Sequence, residues 1–123
     1  MRLGIVGSGQ IVHDFLSASS KIQDLELVAI STLARSKAVA EELAEKYKID
    51  KVYTDNQAMF ADSDIDTIYI GVPNSLHFPI AKEALMVNKN VICEKPLVET
   101  SEQVKELKQV ADEHHVLLFE AMT

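Results

Sequence analysis

Glu94-Lys95-Pro96 follows directly on the apolar run Val91-Ile92-Cys93, and Gly7-Ser8-Gly9 follows on Leu3-Gly4-Ile5-Val6. Open parallel sheets bind ligands in the crevice outside the carboxyl ends of their strands, so two loops of this kind are expected to face one ligand. The chemistry divides between them. The glycine turn offers backbone N–H groups: Gly7 permits a tight turn, and Gly9 lets the backbone approach a phosphate with no Cβ in the way. The amides of Gln10 and Ile11 then open a helix whose dipole favours negative charge. The second loop offers an ammonium and a carboxylate. Pro96 pushes Lys95 towards an extended backbone, which would hold its ammonium steady at the crevice mouth. There Lys95 could orient a substrate hydroxyl or join a proton relay, with Glu94 as its partner. A lone glycine pair also occurs in ordinary strand-to-helix turns, and a lysine after a strand is often only exposed. The strand before and the amphipathic helix after the glycines favour the phosphate reading.

An acid about twenty residues beyond such glycines would hold an adenosine ribose. Here the stretch reads Ile30-Ser31-Thr32-Leu33-Ala34-Arg35-Ser36, with no acid. Hydroxyls at Ser31 and Thr32, with Arg35 and Lys37 nearby, suit a 2′-phosphate better than a bare ribose, and favour NADP over NAD by a small margin. Val12 stands where the usual fingerprint has glycine or alanine, and its bulk is expected to push the helix slightly off the strand. Cys93 reads as a small core residue and His77 as a helix-start surface residue. The pair His114-His115 reads as a helix C-terminus. No His, Cys and acid cluster has metal-ligand spacing.

Strand-like runs occur at Leu3–Val6, Leu25–Ile30, Lys51–Tyr53, Thr67–Ile70, Val91–Cys93 and Val116–Phe119. Several are continuous apolar runs, as strands buried on both faces should be. Between them, Ile11, Val12, Phe15 and Leu16 recur at helical spacing, as do Ala40, Leu43, Ala44 and Tyr47, and Val104, Leu107 and Ala111. Asp55 is a candidate cap for a short helix, Asn74 or Ser75 for the next, and Thr100 with Gln103 forms a candidate capping box for the last. The mixed-charge segment from Glu41 to Lys51 is expected to be a solvated helix face. Six strands and five helices joined by right-handed crossovers predict a doubly wound parallel α/β sheet of Rossmann type, in strand order 3-2-1-4-5-6. In that order Gly71-Val72-Pro73-Asn74, after the fourth strand, borders the same crevice as the glycine turn.

The chain has 123 residues, read as a single domain, with 19 acids against 12 bases and a net charge of −7. An acidic balance without a basic stripe argues against nucleic acid, whose affinity rests on phosphate neutralisation. The apolar stretches are too short for a membrane helix, and no secretory signal is visible. A single cysteine suits a reducing compartment, and the expected location is cytoplasmic.

The segments Leu3-Gly4-Ile5-Val6-Gly7-Ser8-Gly9, Ile68-Tyr69-Ile70-Gly71-Val72-Pro73-Asn74-Ser75-Leu76-His77 and Val91-Ile92-Cys93-Glu94-Lys95-Pro96-Leu97 resemble the glucose–fructose oxidoreductase / inositol dehydrogenase / MocA family. The resemblance covers essentially the whole chain. It implies an N-terminal dinucleotide-binding domain in which Gly7, Gly9, Gln10 and Ile11 line the pyrophosphate. By the same resemblance, Pro73, Asn74 and His77 lie along the cofactor, Glu94 and Lys95 reach the nicotinamide, Lys95 assists catalysis, and Glu120 faces the site. Ser31-Thr32 stands where NADP-using relatives commonly carry Ser-Arg. Members of the family oxidise or reduce sugars, polyols and their relatives with NAD or NADP. They continue into a second domain that supplies the substrate pocket and usually the oligomer interface. This chain on its own is therefore expected to bind dinucleotide without turnover, and the full-length enzyme to be a homo-oligomer. A stand-alone nucleotide-sensing module without catalysis is the alternative. Such modules usually keep the ribose-binding acid, and have no need of Glu94-Lys95-Pro96.

Overall fold

The structure, a computed structural model, describes residues 1–19, 25–72, 76–94 and 101–121. Its elements are β1 (Arg2–Val6), α1 (Gln10–Ser19), β2 (Glu26–Ser31), a 3₁₀ turn (Ala34–Ser36), α2 (Lys37–Tyr47), β3 (Lys51–Tyr53), α3 (Asn56–Phe60), β4 (Thr67–Ile70), α4 (His77–Met86), β5 (Asn90–Glu94), α5 (Ser101–Glu113) and β6 (Leu118–Ala121). The six strands form one sheet in the order β3-β2-β1-β4-β5-β6, and every neighbouring pair is parallel. The expected strand order and helix count are both found.

Side-chain alternation along each strand divides the core in two. Leu3 and Ile5 of β1, Ile30 of β2 and Tyr69 of β4 pack with Val12 and Leu16 of α1 and with Ala40 and Leu43 of α2. The intervening residues, among them Val6, Ile68, Ile70 and Val91, pack with Met59 and Phe60 of α3, Ala84 and Leu85 of α4 and Leu107 of α5. The chain reverses direction after β3, and right-handed connections then put the later helices on the opposite face. Along the row Ile30, Ile5, Tyr69, Ile92, Phe119, cover runs out at the β6 edge, where Phe119 is 51% exposed. Cys93 is a buried core thiol, as expected.

Three helix ends explain where the expected boundaries shift. The segment from Glu41 to Lys51 is not one helical face: α2 stops at Tyr47, Lys48 adopts a left-handed conformation (φ 58°), and Ile49 N–H returns to the Ala44 carbonyl at 2.8 Å. Ile49 is thereby buried, and Lys51 opens β3. Asn88 and His115 close α4 and α5 the same way, with φ of 66° and 56°. Val116 N–H closes the α5 turn on the Ala111 carbonyl, so the last strand starts at Leu118 instead of Val116. Left-handed C′ residues satisfy orphan carbonyls at a helix end, and that role usually goes to glycine. Here Lys, Asn and His fill it, and His114-His115 does terminate a helix. Asp55 caps α3 as expected, its Oδ1 accepting from Gln57 N–H at 3.0 Å. The caps expected at Asn74, Ser75 and Thr100 fall outside the described residues.

Away from the crevice, Asp62 ties the β3–α3 region together. Its Oδ2 accepts from Lys51 Nζ and Tyr53 Oη, both at 2.8 Å, and its Oδ1 accepts from Asp64 N–H at 2.9 Å. Buried Lys89 donates to the carbonyls of Asp62 at 2.9 Å and Ile65 at 2.6 Å. The hydrogen bond from Lys51 is the chief reason the Asp62 carboxyl is held down to about 2, against an ordinary 3.8. A carboxyl lowered on folding stabilises the native state above its unfolded value and loses that contribution as acid protonates it. The stability Asp62 adds is therefore complete above about pH 4 and fades as the pH falls from 3.8 towards 2. We expect Asp62→Asn to lower the urea midpoint at pH 7, and the gap to wild type to narrow steadily between pH 4 and pH 2. A gap of constant size across that range would show that the carboxylate charge has no part in it.

Candidate functional site

The carboxyl ends of β1, β2 and β4 open onto a crevice of about 1080 Å³, bordered by Gly7, Ser8, Gly9, Gln10 and Ile11 on one loop, Ser31, Thr32, Leu33 and Arg35 on the next, and Gly71 and Val72 beyond β4. That is at the upper end of ordinary ligand sites, roughly 300–1,000 Å³. The three loops come together because β1 lies between β2 and β4, the point where the strand order reverses.

Each glycine of the turn has a different reason to be glycine. Gly7 has φ +113°, and a Cβ there would run into the Gly71 carbonyl oxygen. Its N–H is already committed to the Ser31 carbonyl at 2.8 Å, extending the β1–β2 ladder. Gly7 is thus required by the backbone itself. Gly9 lines the crevice, and a Cβ on it would meet nothing within 4 Å. The protein leaves that space open, so the fold places no demand for glycine there. A phosphate approaching the backbone would use it. The first α1 hydrogen bond runs from His13 N–H to the Gly9 carbonyl at 3.1 Å. The amides of Gln10, Ile11 and Val12 therefore stand ahead of the helical ladder, at the positive end of the helix dipole.

On the β2 side both expected hydroxyls line the crevice and each already has a partner within the protein. Ser31 is fully buried, and its hydroxyl donates to Asn56 Oδ1 at 2.6 Å, tying β2 to the start of α3. Thr32 shares a hydrogen bond of 2.9 Å with Ser8, linking the glycine turn to the β2 loop. Both hydroxyls brace the crevice wall. Arg35 lies on the 3₁₀ turn, exposed, and is the one cation among the described lining residues, against Asp55 and Glu83. The exposed apolar side chains Ile11, Leu33, Val39 and Leu76 all border the crevice and give it walls suited to flat rings. Nothing in the sequence marks these walls, since isolated exposed apolar residues are ordinary.

His77 is a correction. Expected at the surface, it is 1% exposed, and its Nε2 lies 2.7 Å from the Val72 carbonyl oxygen. A carbonyl only accepts, so Nε2 carries the proton. His77 thus fastens the loop after β4 from within, because it begins α4 facing the core. Val12, expected to push the helix slightly off the strand, is wholly buried against the β1–β4 seam, where Gly71 leaves room for its side chain. Pro73, Asn74 and Lys95 lie outside the described residues, as do the side chains of Glu94 and Glu120. The backbone of Glu94 ends β5, beside β4, with Cys93 paired to Ile70.

A doubly wound parallel sheet with a glycine turn opening on a crevice at its switch point defines the dinucleotide-binding class of fold. The sequence model of the oxidoreductase family with an NAD-binding Rossmann fold, the glucose–fructose oxidoreductase / inositol dehydrogenase / MocA family, matches residues 1–122, and the chain belongs to that family. It is 36% identical over 118 residues to trans-1,2-dihydrobenzene-1,2-diol dehydrogenase of Xenopus laevis, covering 96% of this chain and 36% of that protein. It is 34% identical over 122 residues to the NADP(+) scyllo-inositol 2-dehydrogenase of Bacillus subtilis (strain 168), covering 99% and 37%. A 3-ketoreductase from Actinomadura kijaniata, solved with NADP, superposes with a TM-score of 0.90 at 30% identity, over 98% of this chain and 38% of that one. The chain thus spans little more than a third of the length of these relatives. No helix among the described residues is long and apolar enough to cross a membrane.

Proposed function

We propose that this chain is the coenzyme-binding part of an NAD(P)-dependent oxidoreductase that moves hydride between a nicotinamide coenzyme and a sugar, polyol or related hydroxyl or carbonyl compound. The observation that carries this is Gly9: it lines the crevice, leads into the free amides of α1, and has no reason within the fold to lack a side chain. The named activities of the relatives, a polyol dehydrogenase and a ketoreductase among them, support the reaction class.

The residues present fit a dinucleotide. The amides of Gln10 and Ile11 would hold its diphosphate, Ile11, Leu33 and Leu76 would flank its apolar surfaces, and Thr32 and Arg35 would meet the adenosine ribose. When bound, the coenzyme supplies the hydride acceptor or donor. Lys95 is proposed to move the accompanying proton, with Glu94 beside it, and Pro73, Asn74 and His77 to shape the β4 side. In a net-acidic chain Arg35 is the lining cation available for a 2′-phosphate, so NADP is favoured over NAD. Substrate selection and subunit contacts are assigned to a second domain of a longer, homo-oligomeric, cytoplasmic enzyme. The 123-residue chain itself is proposed to bind coenzyme without turnover.

Fluorescence titration with NADPH and NADH tests this. NADPH is expected to bind more tightly, and Arg35→Ala to weaken NADPH about tenfold while changing NADH less than about twofold, the low end for a charge-assisted hydrogen bond. Tighter NADH binding would reverse the coenzyme preference alone. If neither coenzyme bound, the reading of the crevice would fall.

A further inference from the structure

Dinucleotide turns normally carry glycine or alanine at the third position of the motif, to bring helix and strand close. Val12 occupies that position here, fully buried. The space it needs comes from another strand. A Cβ on Gly71 would lie 2.8 Å from Val12 Cγ2 and 3.1 Å from Tyr69 Cε1. A Cβ on Gly7 would lie 3.3 Å from the same Val12 methyl. None of the surroundings can give way cheaply. Gly71 N–H is bonded to the Val6 carbonyl at 2.9 Å, and Tyr69 is stacked on Phe15 of α1 with ring centroids 3.9 Å apart. In most turns of this kind the small residue sits on the helix. Here it sits on the end of β4.

We propose that Gly71 is a positioning residue for the coenzyme diphosphate: by lacking a side chain it seats Val12, and through Val12 it sets the height of the first α1 amides over the β1–β4 seam. This rests on reading the crevice as a dinucleotide site. A side chain at position 71 must lift the start of α1 or shift the Gly7–Gly9 turn, because the Gly71 carbonyl already stands against Gly7. Either movement takes the Gln10 and Ile11 amides off the diphosphate. The β2 end, where Thr32 and Arg35 stand, is held by Thr32 N–H on the Tyr53 carbonyl, away from the glycine turn, and stays in place.

The test compares wild type, Gly71→Ala, Val12→Ala and the double variant, titrated with NADPH and with adenosine or its 2′-monophosphate, neither of which carries a diphosphate. Gly71→Ala is expected to weaken NADPH at least tenfold and the adenosine ligands less than twofold. Adding Val12→Ala is expected to return NADPH affinity to within about threefold of Val12→Ala alone, because the opposed methyl is gone. A folded Gly71→Ala that binds NADPH like wild type, or loses both ligand types equally, overturns the proposal. If Gly71→Ala does not fold, the double variant decides: folding with restored NADPH affinity upholds the proposal, and failure to fold or bind overturns it. Absence of NADPH and NADH binding in the unaltered chain would sink the dinucleotide reading as well, and is distinguishable because no substitution is involved.

Discussion

Gly7→Ala is expected to cost the fold at least about 3 kcal/mol, a large part of the roughly 5–15 kcal/mol that holds a domain of this kind together. Two effects add. A non-glycine residue held at an unfavourable positive φ costs on the order of 1–3 kcal/mol, and Gly7 has φ +113°. The new Cβ would also run into the Gly71 carbonyl oxygen, a clash with backbone that only a shift of the glycine turn or of the residue after β4 relieves. At this chain length the loss corresponds to a fall in Tm of about 10 °C or more. Gly9→Ala is the matched control: its Cβ meets nothing, so the loss should stay within about 1 kcal/mol, the usual worth of a helix N-cap, while coenzyme affinity falls. Thermal melts of the two variants, with and without NADPH, check both halves. Equal destabilisation by the two would mean that the division between backbone glycine and ligand glycine is mistaken.

Lys95→Ala, placed in a longer enzyme that contains this chain, is expected to lower kcat by ~10²–10⁴, the usual worth of a positioned acid–base group. The coenzyme Kd should stay within about threefold. The argument joins sequence and topology. Proline favours an extended backbone for the residue before it, and β5 pairs with β4 up to Cys93 opposite Ile70, so that its last residue, Glu94, falls at the crevice end of the sheet. A residue leaving β5 there is one strand from the β4 loop. A lysine acting in proton transfer should also impose its own limb on the pH dependence of kcat, and that limb should vanish in the variant. A rise in coenzyme Kd with kcat unchanged would reassign Lys95 to binding.

Arg35 and Ser31 show how residues that read alike in sequence separate once folded. Ser31 ends β2 and Arg35 comes four residues later, and both are polar types suited to a phosphate. Arg35 lies exposed on the crevice lining, whereas the Ser31 hydroxyl is spent on Asn56, inside the wall. The choice of partner depends on where α3 begins relative to β2, which no pattern around position 31 reveals. His77 is a similar case. The local signal places it at a helix start, and only the packing of α4 against the sheet turns that start inward to the Val72 carbonyl.

The order and type of the elements, the parallel sheet with its switch point, and the glycine turn after β1 can all be read from the residue pattern. These are legible because they rest on local matters: apolar periodicity, glycine backbone freedom and the fixed hand of strand–helix–strand connections. How Val12 is accommodated, which hydroxyls brace the crevice and the inward turn of His77 emerge only when the elements pack together. Each of those depends on packing between elements far apart in the chain, such as a Val12 methyl on α1 standing where a side chain on Gly71, just past β4, would reach. Close packing sets those distances to within a few tenths of an ångström, a scale that residue spacing does not encode.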